Sequence, residues 1–426
     1  MSEPHSSLRR TRRVRLTVRG WVTLVAGVGC LLLAYPAGRA ELLVVAVLAL
    51  LLSLGGLLLT RLRRPKLEVI RLFSPPVAAV GATVQITLRV RNAGSVTTPA
   101  VFWNDAIPWR EVQEAQELAP LGVVSVGKRT ATLHHEVHPH RRGLFPIGPL
   151  VIEYADPFGM ARANTACGDV DRLTVVPAVV DLPDGGPVLI DGDGAAQLIQ
   201  RRATGNDDDL TTREYRSGDA LRRVHWRASA RHGELMVRQE EPRSHPDARI
   251  LIDTRLTGHP DAESDTESWP PAPHSEGFEW GVRMLASLAV HLDASGFRVD
   301  VVESCAPQIE QIGERWEGGQ RIESFLTSLA AVRLIERHEE LPTVGSDAIG
   351  PTFAILADPD GDVADWVLRQ RHPGQSGAVF AVRMGASTRE RFLENGWSVV
   401  DVAPFDDILD IWRVSATEAG YIRGAY

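Results

Sequence analysis

Residues 20–60 read GWVTLVAGVGCLLLAYPAGRAELLVVAVLALLLSLGGLLLT, and this stretch decides the architecture. No charged residue falls in 20–38 or in 42–60, and each run is 19 residues long. At ~1.5 Å per residue each run reaches ~28 Å as a helix, close to the hydrocarbon thickness of a bilayer. Neither run has a polar face, which opposes a buried hairpin in a soluble domain. Only Arg39-Ala40-Glu41 separates them, after Tyr35-Pro36-Ala37-Gly38, a composition that suits a tight tip. The second span follows at once and its downstream side is basic, which opposes a cleaved signal peptide. Arg9, Arg10, Arg12, Arg13, Arg15 and Arg19 precede the hairpin, and Arg61, Arg63, Arg64 and Lys66 follow it. By the positive-inside rule both termini and the folded domains are expected in the cytoplasm, with the basic flanks on anionic lipid. The lipid bilayer is thus the first expected partner.

The 426 residues are too many for one ordinary domain. Residues 1–66 carry a charge of +9, so the formal −8 of the chain leaves −17 for the rest. A basic N-terminal piece on an acidic body argues against a nucleic-acid binder. Three cysteines give no disulfide framework and no cysteine metal cluster, and fit a reducing compartment. The expected fold class is multidomain. It comprises a basic N-terminus with a transmembrane α-hairpin (1–66), a β-sandwich-like domain (67–180), an acidic connector with an Arg-rich segment (181–246) and a doubly wound α/β domain (247–426).

After Lys66 the hydrophobic period changes to two. Val84, Ile86, Leu88 and Val90 alternate with Gln85, Thr87, Arg89 and Arg91 before a turn at Asn92-Ala93-Gly94. Further strands are predicted at 131–138, 149–154 and 172–176, which fits an antiparallel sandwich. Asp156-Pro157-Phe158-Gly159 reads as a turn with an aromatic anchor. His134, His138 and His140 share one strand face while His135 points away, so they read as surface or packing histidines rather than a tetrahedral metal site. Arg141-Arg142-Gly143 reads as a solvated edge.

In the connector, Gly192-Asp193-Gly194 resembles the start of a dinucleotide fingerprint, but Gln197 holds the third glycine position. Asp207-Asp208-Asp209 reads as a solvated acidic loop. Residues 213–240, REYRSGDALRRVHWRASARHGELMVRQE, form the most specific segment. Asp219 is placed to cap a helix that Gly233 closes. Within it Arg223, Arg227 and Arg231 recur every four residues as a basic stripe, and Leu221, Val224 and Ala228 lie opposite. Half-buried arginines need carboxylate, carbonyl or phosphate partners. Two readings follow: an ion-paired buttress between folded domains, or an anion-binding or partner-docking surface. An acidic protein without a glycine-rich phosphate cradle favours the buttress.

This segment strongly resembles the signature of the bacterial domain of unknown function 58 family. The matching positions are Arg213, Glu214, Tyr215, Gly218, Asp219, Arg222 or Arg223, Val224, Trp226, Ser229, Ala230, Arg231, Gly233 and Leu235. Ser217 and Ala220 depart from the family's usual proline and aspartate, which loosens the turn. The resemblance extends over most of the chain, to the hairpin, to residues 141–143 and 156–159, and to a C-terminal domain like von Willebrand factor type A. It implies a role as an assembly or chaperone partner of a MoxR-type AAA+ ATPase.

The C-terminal domain alternates strands (248–253, 297–301, 353–357, 378–382, 397–402) with helices around 278–292, 322–329, 363–367, before Gly396 and at 408–412, the pattern of a largely parallel sheet. Residues 257–277, with five acids, four prolines and no Lys or Arg, read as a mobile loop. Asp253 and Asp358 fall at carboxyl ends of strands, where such folds bind ligands. The type A metal motif, D-x-S-x-S with a later acid, is matched by Asp253, Thr257 and Asp358, but Arg255 replaces the middle serine. Mg2+ is therefore the one candidate cofactor. The alternatives are that both acids cap helices, or pair with Arg255 in the cation's place. With no nucleophile elbow, P-loop or His-Glu-x-x-His, a non-enzymatic membrane scaffold that binds a protein partner is expected. The rival readings are an enzyme that pairs the arginine stripe with Asp253 and Asp358, and a sensor of anionic ligands.

Overall fold

The computed structural model describes residues 13–109, 116–123, 128–184, 212–214, 226–238, 247–265, 272–311, 320–336, 340–343, 350–371 and 374–423. The chain divides into two compact units, Met1–Val176 with Asp265–Ala272 and Pro177–Ser264 with Pro273–Tyr426.

The first unit begins with β1 (Arg13–Leu16) and two helices, α1 (Val18–Ala37) and α2 (Ala40–Leu62). Thr17 caps α1 by accepting from Gly20 N at 3.1 Å, and Gly38 ends it at φ 63°, a left-handed conformation that glycine adopts freely. The two helices approach through small residues. A Cβ on Gly27 would lie 3.1 Å from that of Ala49, and Ser53 Oγ donates to Gly20 O at 3.4 Å. Their large side chains point away from the protein, among them Trp21, Leu32, Leu33, Leu51 and Leu54. Both helices are long and apolar enough to cross a membrane.

Ten strands follow: β2 (Leu67–Ser74), β3 (Val77–Ala79), β4 (Val84–Asn92), β5 (Val101–Asp105), β6 (Gln116–Leu118), β7 (Thr130–Val137), β8 (Gly143–Ile147), β9 (Leu150–Ala155), β10 (Ala161–Cys167) and β11 (Asp171–Val176). They form sheets in the orders β1-β10-β9-β5-β6, β2-β4-β7 and β3-β11-β8. The predicted alternation of β4 holds: Val84, Ile86, Leu88 and Val90 enter one core with Trp103, Ile152 and Leu173. One boundary differs from the sequence reading. Residues 13–16, expected as a basic membrane flank, form a sheet strand, with Arg13 opposite Asn164 and Leu16 opposite Ala161.

The histidines behave as packing and surface residues. His135 faces inward against Trp103, with ring centroids 5.7 Å apart, and His134 Nδ1 lies 3.1 Å from Thr87 Oγ1. Arg71 is buried in a fork with Asp105, at 2.9 Å (Nε–Oδ2) and 2.6 Å (Nη2–Oδ1), and reaches Asp171 at 2.5 Å.

The second unit contains β12 (Thr212–Glu214), α3 (Trp226–His232), β13 (Met236–Arg238), β14 (Asp247–Ile252), short strands β15 (Glu263–Asp265) and β16 (Ala272–His274), then α4 (Glu276–Ala294), β17 (Arg298–Glu303), α5 (Gln320–Ala331), β18 (Thr352–Leu356), α6 (Gly361–Leu368), β19 (Gly377–Val382), α7 (Ala386–Glu394), β20 (Ser398–Val402) and α8 (Ile408–Arg423). The main sheet is wholly parallel, in the order β17-β14-β18-β19-β20. Counted within the sheet this is 2-1-3-4-5, a doubly wound order whose switch point lies between β14 and β18. Strands buried on both faces feed two cores. Ile250, Ile252, Phe353, Ile355 and Phe380 meet α4, α5 and α8, whereas Leu251, Ala354, Leu356 and Val379 meet α6 and α7. Residues 180–183, read as the end of the β-rich domain and the start of the connector, serve this unit: Leu182 enters its core, Ser287 Oγ accepts from Val180 N, and Pro183 O accepts from Trp412 Nε1.

Candidate functional site

The carboxyl ends of β14 and β18 carry the expected acids. Asp253 follows β14 and is buried, as is Arg255 two residues on. Asp253 Oδ1 accepts from Arg255 Nε at 3.0 Å, Arg255 N at 3.1 Å and Ser304 Oγ at 2.5 Å, and Oδ2 accepts from Arg255 Nη2 at 3.3 Å. Arg255 Nη1 continues to Asp360 Oδ2 at 2.9 Å. Burial opposes the Arg255 charge, but the bonds to and attraction from Asp253 and Asp360 outweigh it, and its pKa is raised. The same surroundings push the neighbouring Cys305 thiol up, through burial first and then repulsion by Asp253.

The expected metal set is not gathered. Thr257 is exposed on a 3-10 turn, and Asp358 is exposed and accepts a long bond, 3.4 Å, from Gly385 N. A Cβ on Gly258 would overlap Asp253 Oδ2, so backbone also closes that side. Among the described residues no group of three or more His, Cys, Asp or Glu converges as a metal site. A divalent cation needs several free oxygens, whereas the Asp253 lone pairs are engaged by the guanidinium, an amide and a hydroxyl. The residues present do not fit Mg2+. Of the alternatives, Asp253 pairs with Arg255, and the helix cap falls to Asp360, whose Oδ1 accepts from Val363 N at 3.0 Å. The Asp-Gly step at 360–361, directly before an apolar helical period, was the available signal for that cap.

At the carboxyl ends of β18, β19 and β20 lies an open cleft of about 200 Å3, lined by Ala357, Val382, Arg383 and Pro404 together with Asp261 and Gly277. The segment read as a mobile loop is tied down at its described ends: Asp261 Oδ1 accepts from Ser275 Oγ at 2.7 Å and Oδ2 from Gly277 N at 3.0 Å. Burial works against the Asp261 charge, but these bonds and the attraction of His259 hold its pKa below the usual carboxylate value. Arg383, exposed at the end of β19, adopts φ 59°, a conformation that a side chain makes costly. The next loop presents Phe405, 79% exposed. Neither Arg383 nor Phe405 stood out in the sequence, because both gain their place only from the sheet order.

In the signature segment, Arg213 and Glu214 lie on β12, opposite Val237 and Met236 of β13. Trp226, 69% exposed, begins α3, which also contains Arg227 and the exposed Arg231. Gly233 closes the helix at φ 78° with its N–H on Ser229 O, and Ser229 Oγ accepts from Met236 N at 2.9 Å. Tyr215, Gly218, Asp219 and Arg223 lie outside the described residues, as do the Gly192-Asp193-Gly194 loop and the acidic run at 207–209.

These features define a class: two long apolar helices on a β-rich unit, and an α/β unit whose parallel sheet ends in an acid neutralised by an arginine. Within that class, residues 211–259 match the family model described as "Protein of unknown function DUF58", a span from the signature through β14 to the Arg255 loop. No curated protein matches the chain. The CARDB domain of a Pyrococcus furiosus protein is 16% identical, covering 26% of this chain and 89% of that one, at a TM-score of 0.19. A Pseudomonas fluorescens alkylpurine DNA glycosylase is 12% identical over 32% of this chain and 38% of its own, at 0.18. A Paenibacillus cycloisomaltooligosaccharide glucanotransferase is 12% identical over 75% and 53%, at 0.18. At such scores none of these likenesses bears on fold or function.

Proposed function

We propose that this protein is a membrane-anchored, non-enzymatic scaffold whose α/β unit, of the von Willebrand factor type A-like kind, recruits a protein partner at the cytoplasmic membrane face. One observation carries the reading. Where a doubly wound sheet binds its ligand, this chain offers a charge-neutralised acid and a shallow cleft flanked by an exposed aromatic, Phe405. Exposed aromatics beside a cleft suit a protein surface better than a small polar substrate. The apolar outward faces of α1 and α2, with arginines at both flanks, support the anchor and its orientation. By the family resemblance, an AAA+ ATPase of the MoxR type is the partner to test. Affinity capture from solubilised membranes is expected to enrich such an ATPase with the native chain and several-fold less with Phe405→Ser, whose side chain contributes little to the core. Recovery of no ATPase above background removes the partner assignment.

A further inference from the structure

The turn read at residues 156–159 carries its aromatic, Phe158, 55% exposed. The turn itself is firmly built. Buried Asp156 accepts from Phe158 N at 2.9 Å through Oδ2 and from Ala161 N at 2.5 Å through Oδ1, and its carbonyl accepts from Gly159 N at 3.0 Å. The turn is fastened to the foot of the helical hairpin. Thr17 N donates to Met160 O at 2.9 Å and Thr17 Oγ1 to Gly159 O at 2.6 Å. Glycine lets both helices approach: a Cβ on Gly20 would overlap Met160 O, and one on Gly56 would lie 3.0 Å from Met160 Cβ and 3.1 Å from Asp156 Cγ.

Two rulers give the depth of this contact. The 20 residues of α1 make a span of ~30 Å, the thickness of a bilayer core, and the turn touches its first helical turn. Gly56 lies six residues before the end of α2 at Leu62, so the turn meets α2 ~9 Å inside that end. The first ruler places residues 156–160 at the edge of the hydrocarbon, and the second puts their contact with α2 ~6 Å within it, counted from the end of the uncharged run at Thr60. Val18, Arg19 and Trp21 are exposed on the first turn of α1, and Arg61 is exposed on the last turn of α2. An aromatic ring among exposed apolar groups and arginines matches the headgroup–acyl boundary.

We propose that the 156–160 turn is a third lipid contact of this chain, with the Phe158 ring inserted into the bilayer interface beside the hairpin. The contact ties the β-rich unit to the membrane surface at a fixed tilt, rather than letting it hang from a flexible linker. The inference rests on the membrane-anchored reading, and its test separates the two. The full-length chain is placed in phosphatidylcholine–phosphatidylglycerol nanodiscs with photoreactive benzoylphenylalanine at Phe158 or, as a reference within the span, at Leu32. After irradiation, lipid adducts are read by mass spectrometry. The expected result is an adduct fraction at 158 within about threefold of that at 32, as a ring at the interface meets acyl chains on every side. Adducts at 32, with 158 at the level of lipid-free detergent samples, overturn the turn contact and leave the anchor standing. Adducts at neither position overturn the anchor and the turn contact together.

Discussion

Arg255 closes on Asp253 from within its own loop, with Nε 3.0 Å from one carboxylate oxygen and Nη2 3.3 Å from the other, while Nη1 reaches Asp360 at 2.9 Å. The acid at the carboxyl end of β14 is thereby neutralised by the chain itself. A guanidinium is fixed in charge and planar, so it satisfies two carboxylates without dehydrating a metal ion.

Arg255→Ser tests this directly, since it turns residues 253–257 into Asp-Thr-Ser-Leu-Thr. Removing one partner of a buried pair costs about 3–5 kcal/mol, because the remaining charge is left uncompensated. The variant is expected to unfold at lower temperature in metal-free buffer and to regain part of the loss with Mg2+. The native protein should show no Mg2+ dependence. Thermal unfolding of both chains in detergent, with and without Mg2+, decides it. A native chain that Mg2+ stabilises as much as the variant would sink the account.

Glu303 makes the opposite electrostatic statement. Its Oε1 accepts from Gln308 N at 2.6 Å and Ile309 N at 2.8 Å, but burial outweighs these bonds and pushes the carboxyl above its ordinary 4.5. A folded pKa above the unfolded one means that stability is fully present below the unfolded pKa and is lost as pH rises through the folded value. Glu303→Gln keeps the Oε1 acceptor and removes the charge. It is expected to raise stability at pH 7, with the gain fading as pH falls to about the ordinary carboxylate range. Denaturant midpoints across that pH range provide the check; a gain that persists undiminished in acid contradicts it.

The hairpin and the α/β order were legible because their signals are local: uninterrupted apolar runs, period-two strands and helical spacing. What stayed hidden depends on partners far along the chain. Val14 and Leu16 sit in a run of arginines, and only pairing with β10 makes 13–16 a strand. Asp358 and Asp360 share one pentapeptide, and the entry angle of α6 decides that the second reaches Arg255. The exposure of Phe158 follows from where Thr17 holds its turn, which no spacing within 156–159 reveals.

The Arg71 network belongs to that hidden class, since its acids lie 34 and 100 residues away. It joins β2, β5 and β11 through a buried fork. Arg71→Ala takes the guanidinium from buried Asp105 and leaves it His135, whose Nε2 lies 3.7 Å from Oδ2, with an expected loss of up to about 3–5 kcal/mol. Arg71→Lys should recover less than half of it, because an ammonium cannot serve two oxygens of Asp105 and also Asp171 in one plane. Amide exchange along β2 and β5 reads the effect locally. Full protection in Arg71→Lys would show that charge alone suffices.

Two adjacent glycines of α2 test the hairpin contact without leaving the helix. Gly55 has open space where a Cβ would go, whereas a Cβ on Gly56 would press on Met160 Cβ at 3.0 Å and Asp156 Cγ at 3.1 Å. In helix propensity both gain the same ~1 kcal/mol on becoming alanine. Gly55→Ala is therefore expected to leave the turn untouched, while Gly56→Ala shifts it by a few tenths of an ångström and Gly56→Leu pushes it off the helix. The Ala161 amide, held by Asp156 Oδ1 at 2.5 Å, is the reporter. Its exchange should accelerate in the Gly56 variants and stay at the native rate in Gly55→Ala. Equal acceleration in both would mean that helix packing in general, rather than the contact at Gly56, holds the turn.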